Sequence, residues 1–84
     1  MPEISRFYGI IIRMYFKSAE HNPPHIHAIY QNYIIAIAIE DFNVLSGDIP
    51  PTAKSMVLEW MHIHQKELLD MWKTQDFKRL TPLE

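Results

Sequence analysis

No cysteine occurs among the 84 residues, which excludes disulfides, thiolate metal centres and a cysteine nucleophile. A reducing compartment, the cytoplasm, is the expected location. Only two glycines are present, so no glycine-rich loop exists to cradle a phosphate, and no serine stands in a recognisable nucleophile elbow. The apolar run from Tyr33 to Ile39 is a strand's length, far short of the roughly 20 residues that cross a bilayer. The opening Met1-Pro2-Glu3 has neither the charged region nor the apolar stretch of a signal peptide, so a mature, non-exported chain is expected. Positive charge is not in excess either. With a net charge of -2 and a pI near 6.2, a nucleic-acid partner would have to be held by a local patch.

What remains is an ordinary globular composition, 48% hydrophobic and 21% charged, enough to form one modest core and to offset ordering entropy. One domain over residues 1–84 is expected. From Ile4 to Phe16 the chain is rich in β-branched and aromatic residues and reads as one strand or two short ones, with Gly9 as the bend or bulge. A period of two puts Ile10, Ile12, Met14 and Phe16 on one face and Ile11, Arg13 and Tyr15 on the other. The segment Lys17 to Pro24 holds Ser18, Asn22, Pro23 and Pro24 and reads as a loop.

Strands follow at His25 to Tyr30 and Tyr33 to Glu40, joined by Gln31-Asn32. A two-residue connection sets Tyr30 opposite Tyr33, Ala28 opposite Ile35 and Ile26 opposite Ile37 on the core face. It also sets His27 opposite Ala36 and His25 opposite Ala38 on the other. Val44 to Ser46 reads as a short edge strand. Pro50 and Pro51 mark a helix start, and the helix is expected to run to Thr74. Its buried stripe is Ala53, Val57, Trp60, His64, Leu68 and Met71, with Glu59, Lys66, Asp70 and Lys73 outside. The expected fold is α+β: a three- to four-stranded antiparallel sheet with one long C-terminal helix packed across it.

Three histidines stand within seven positions around a diproline, in His21-Asn22-Pro23-Pro24-His25-Ile26-His27. On a strand His25 and His27 project to the same side, where neutral imidazoles can chelate a divalent ion, with His21 or Glu20 completing the set. The same face offers metal-free chemistry. Arg13 could hold a phosphate while His25 or His27 moves a proton, with Tyr15 alongside, a minimum for cleaving RNA through its 2′-hydroxyl. A third role is structural: the prolines stiffen the loop, and imidazole nitrogens hydrogen-bond backbone groups that Pro23 and Pro24 cannot serve. His64, on the helix stripe, is expected to bond strand or loop backbone, its alternative being membership of the histidine site. His62 should be solvated, and Trp60 and Trp72 should pack in the core and at its rim.

The segments Ile4-Ser5, Phe7-Tyr8-Gly9-Ile10, Arg13-Met14-Tyr15-Phe16, the diproline-histidine motif, and Leu58-Glu59-Trp60 with His64 and Leu68 resemble the small bacterial domain-of-unknown-function family numbered 4160. The resemblance covers nearly the whole chain. It implies a stand-alone protein encoded beside, or fused to, another small domain, in neighbourhoods like those of toxin-antitoxin pairs, and so it implies a partner. It makes His21, His25 and His27 the matching functional positions without supplying a chemistry. The chain departs from relatives in having Gln31-Asn32 where a glycine is often found, and in a more apolar third strand.

The functional expectation is an interaction module acting with a companion protein, through the sheet face or edge that the helix leaves free. Self-association is expected of the same surfaces. The alternatives are a small metal-independent endoribonuclease using Arg13, His25 and His27, and a divalent-metal-binding protein using His21, His25 and His27. No cofactor is required by any residue pattern, and a divalent metal is the one that the histidines could take.

Overall fold

The structure, a computed structural model, describes residues 3–15 and 23–83. Strands β1 (Glu3–Phe7) and β2 (Ile10–Arg13) are followed by β3 (His25–Tyr30), β4 (Tyr33–Ala38) and β5 (Val44–Gly47), and then by one helix, α1 (Pro51–Thr74). All strand pairs are antiparallel, in the order β1-β2-β3-β4-β5.

The sheet therefore has five strands rather than three or four, and Gly9 is the reason. Tyr8 and Gly9 both take positive φ, +50° and +79°, as the centre of a type I′ turn requires. Phe7 consequently pairs with Ile10, and what could be one bent strand is a tight hairpin. The other departure is small. β4 stops at Ala38, two residues before the expected Glu40: Ile39 N–H still donates to the carbonyl of Pro24 opposite it at 2.8 Å, but Pro24 has no N–H to return, and Phe42 N–H turns back onto Ala38 O at 3.0 Å.

The β3–β4 register is the one expected from a two-residue loop: Tyr30 faces Tyr33, Ala28 faces Ile35, Ile26 faces Ile37, His27 faces Ala36 and His25 faces Ala38. Gln31 provides the turn at φ +55°, a left-handed conformation that costs a non-glycine residue roughly 1–2 kcal/mol. Parity along the strands then decides what is buried, except at the hairpin end, where Tyr33, expected on the core face, is 43% exposed because the core ends below it. Ile10, Ile12, Met14, Ile26, Ala28, Ile35 and Ile37 form the sheet side of the core, while Phe16 lies outside the described residues.

Helix α1 matches the expected span and closes the core. Ala53, Val57, Trp60, Leu68 and Met71 of the expected stripe are buried, and Met61 and Trp72 join them. Pro50 and Pro51 start the helix without a side-chain cap, and Gln75 ends it in a left-handed cap donating to the Met71 carbonyl. No helix among the described residues is long and apolar enough to cross a membrane.

The chain after α1 turns back over the molecule. Leu80 N–H donates to Ile4 O at 2.8 Å, and the fully buried Ser5 hydroxyl donates to Leu80 O at 3.1 Å. Trp60 Nε1 donates to Thr81 O at 2.9 Å. Glu3 binds both Arg6 and Arg79, and the Arg6 hydrogen bond, ahead of the Arg79 contact, holds the Glu3 carboxyl below its ordinary range. The β1 end of the sheet is thus held by the tail.

Candidate functional site on the helix-free sheet face

With α1 packed on one side, the alternation that buries Ile12, Ile26 and Ile37 turns the intervening side chains to the opposite face. Arg13 on β2 pairs directly with His27 on β3, and His27 in turn with Ala36 on β4. Tyr15, two residues beyond Arg13, meets His27 edge-on with ring centroids 4.4 Å apart, and His25 meets His27 at 5.2 Å. Trp72, from the last turn of α1, comes within 5.1 Å of His25 by centroid. Arg13, Tyr15, His25 and His27 therefore form one cluster, seated on a floor of buried Ala36 and Ala38. His21 and Glu20 lie outside the described residues.

The adjoining row of this face is aliphatic. Ile11 pairs with Ile29, and Ile29 with Ile34. Ile34 is 55% exposed, and Ile11 and Ile29 are half-buried. Exposed apolar side chains occur singly on most surfaces, but here one exposed and two half-buried isoleucines lie in register beside a polar cluster.

The polar half is incompletely satisfied. His25 Nδ1 lies 2.9 Å from the Pro23 carbonyl, and since a carbonyl only accepts, this nitrogen carries a proton. The bond is one part of the loop-anchoring role, with Ile39 N–H to Pro24 O as its backbone counterpart. By contrast, Arg13 Nε and His27 Nδ1 are buried and make no hydrogen bond among the described residues. A buried donor such as the Arg13 Nε–H left in that state costs about 1–3 kcal/mol.

Burial also lowers the His27 pKa from its ordinary value, with the nearby His25 adding to the effect. The linkage has a definite sign. Above about pH 6.5, the ordinary imidazole value, His27 is neutral both folded and unfolded and contributes no pH dependence. As pH falls through that value, the unfolded chain takes up a proton that the folded chain resists. Stability drops until the folded pKa is passed and is level below it. Denaturant melts at pH 7.5 and pH 5 should therefore show the native protein losing more stability than His27→Gln. Equal losses would mean that His27 is not desolvated.

As to metal, His25 Nε2 and the His27 ring offer two nitrogens on one side. No group of three or more His, Cys, Asp or Glu able to hold an ion is found among the described residues. His64 takes no part in the cluster. Its Nδ1 lies 2.7 Å from Glu67 Oε1 and its Nε2 3.0 Å from Thr81 O, so it pins the tail to α1 beside Trp60, at 5.0 Å by centroid. His62 is exposed, as expected, near the Phe42 ring.

Two contacts of the site escaped sequence reasoning. Trp72 closes the His25 end of the cluster, a placement that helical spacing alone cannot give because it depends on how far α1 runs past β3. Gln65 Nε2 donates to the carbonyls of Ile39 and Glu40 at 2.8 and 3.1 Å, fixing the end of β4 next to the diproline segment; a glutamine at the edge of an apolar stripe was its only signal. No curated protein and no solved structure matches the chain. The family model described as Domain of unknown function (DUF4160) matches residues 9–73, a span that runs from the β1–β2 turn through nearly all of α1, and the chain belongs to that family.

Proposed function

We propose that this protein is an interaction module that binds a companion protein through the helix-free face of its sheet, as one member of a toxin-antitoxin-like pair. The observation carrying this reading is the composition of that face. The aliphatic row of Ile11, Ile29 and Ile34 lies in register beside a cluster whose Arg13 has no ion pair among the described residues. An exposed apolar row beside an arginine with no ion pair gains most when covered by a complementary surface.

The test is co-expression with the product of an adjacent gene, followed by calorimetric titration of the purified pair. Ile34→Glu places a charge at the exposed end of the row, outside the core cluster. It should weaken binding at least tenfold, with its own melting curve unchanged. Native affinity in that variant would remove the helix-free face from consideration.

One observation favours a second reading, metal-independent cleavage of RNA. Arg13 and His27 stand opposite each other with Tyr15 against the imidazole, the group types that bind a phosphate and move its proton. Cleavage of RNA in the presence of chelator, lost in His25→Ala, would support it. A net charge of -2 weighs against it, since affinity for a polyanion grows with the number of cations presented.

A further inference from the structure

We infer that the Arg13–His27 pair is a receptor for a carboxylate, presented by the companion protein on a segment whose apolar side chains sit on Ile11, Ile29 and Ile34. The inference rests on the docking reading above and names the chemistry of the partner.

Three observations carry it. Arg13 has no ion pair among the described residues, and its Nε makes no hydrogen bond. The carboxylate nearest in register is Glu3, opposite Arg13 on β1, and it is engaged by Arg6 and Arg79 at 2.8 and 3.0 Å. Beside Arg13, His27 Nδ1 is likewise buried and unbonded. A guanidinium with no ion pair calls for an oxygen acceptor, and a carboxylate fits its fork bidentately; Arg13 Nε and His27 Nδ1 are themselves closed off from solvent, so the fork is reached through the two Nη groups.

The surroundings select a protein carboxylate over an RNA phosphate. Arg6 and Arg13 are the cations that β1 and β2 place on this face, and Arg6 is already paired, so among the described residues of these strands a chain of phosphates would find one arginine without an ion pair. The rings of Tyr15, His25, His27 and Trp72 are packed against one another rather than standing open for bases to stack on. The neighbouring row is aliphatic, which suits peptide side chains.

The experiment follows the Arg13 Nε–H signal in proton–nitrogen spectra during separate titrations with sodium acetate, inorganic phosphate and a short oligoribonucleotide. In parallel, companion affinity is measured for Arg13→Lys, which keeps the charge and removes the guanidinium fork. A saturable acetate shift is expected in the native protein. Arg13→Lys should fold normally and lose at least tenfold in companion affinity. If that variant fails to fold, the acetate titration of the native protein decides alone.

An Nε–H signal indifferent to acetate, or an Arg13→Lys protein with native companion affinity, overturns the carboxylate site. Saturation by the oligoribonucleotide at concentrations where acetate does nothing overturns it in favour of RNA. Loss of binding in Ile34→Glu but not in Arg13→Lys would leave docking standing without the carboxylate. Native affinity in both variants would end the docking reading itself.

Discussion

Replacing Trp60 with alanine should remove about 3–5 kcal/mol of stability, the range for deleting a fully buried large aromatic. Trp60 is 0% exposed and packs with its ring centroid 5.9 Å from Phe7 and 5.0 Å from His64. Its indole N–H also holds Thr81 O. Truncation therefore opens a cavity between sheet and helix and loosens the tail at one stroke. A domain of this size is typically stable by only about 5–15 kcal/mol, so the variant should melt at much lower denaturant or populate unfolded chain outright. Trp60→Phe keeps most of the packing and loses the hydrogen bond, and it should fall between the two. A loss below about 1 kcal/mol in Trp60→Ala would mean that the helix is not seated on the sheet by this residue.

Gly47→Val is the second large effect. Gly47 has φ +82°, a region that costs a side chain roughly 1–2 kcal/mol and a β-branched one more. A Cβ built there would collide with the backbone carbonyl oxygen of Ile34, which already accepts from Asp48 N–H at 3.1 Å. Neither atom is the free end of a flexible side chain, so the end of β5 has to move away from β4. A loss of about 2–4 kcal/mol is expected from backbone strain plus overpacking, with Gly47→Ala smaller but clearly measurable. Amide exchange should localise the damage, with β5 and its β4 partners losing protection while β1 and β2 keep theirs. A neutral Gly47→Val would show that β5 does not close against β4 as described.

The parts of the fold that could be read from sequence are those set by short-range rules. Two residues, Gln31 and Asn32, between two alternating segments determine the β3–β4 register, and from it follows that His25 and His27 share a face above Ala36 and Ala38. Pro51 and an uninterrupted stripe from Ala53 to Met71 determine the helix. The convergence of Arg13 and Tyr15 with the histidines needed one more step, that β2 lies beside β3, and parity then does the rest.

What could not be read has a physical reason in each case. Gly9 is compatible with a bulge or a hairpin, and only the pairing of Phe7 with Ile10 distinguishes them. The tail has no periodicity, because it is held by individual bonds to Ile4, Ser5, Trp60 and His64, contacts that span 17 residues in the shortest case. Nothing in the pattern around Thr81 announces that two helix side chains converge on its carbonyl.

The central claim, that a companion binds the helix-free face, is tested most directly by isoleucine methyl spectra of the protein with and without that companion. The sheet labels both of its sides: Ile11, Ile29 and Ile34 lie on the helix-free face, Ile12, Ile26 and Ile37 in the core, and Ile63, 61% exposed, marks the outer surface of α1. Large shifts confined to Ile11, Ile29 and Ile34, with the core methyls little changed and Ile63 still, are predicted. Shifts centred on Ile63, with the three face methyls unmoved, would contradict the account.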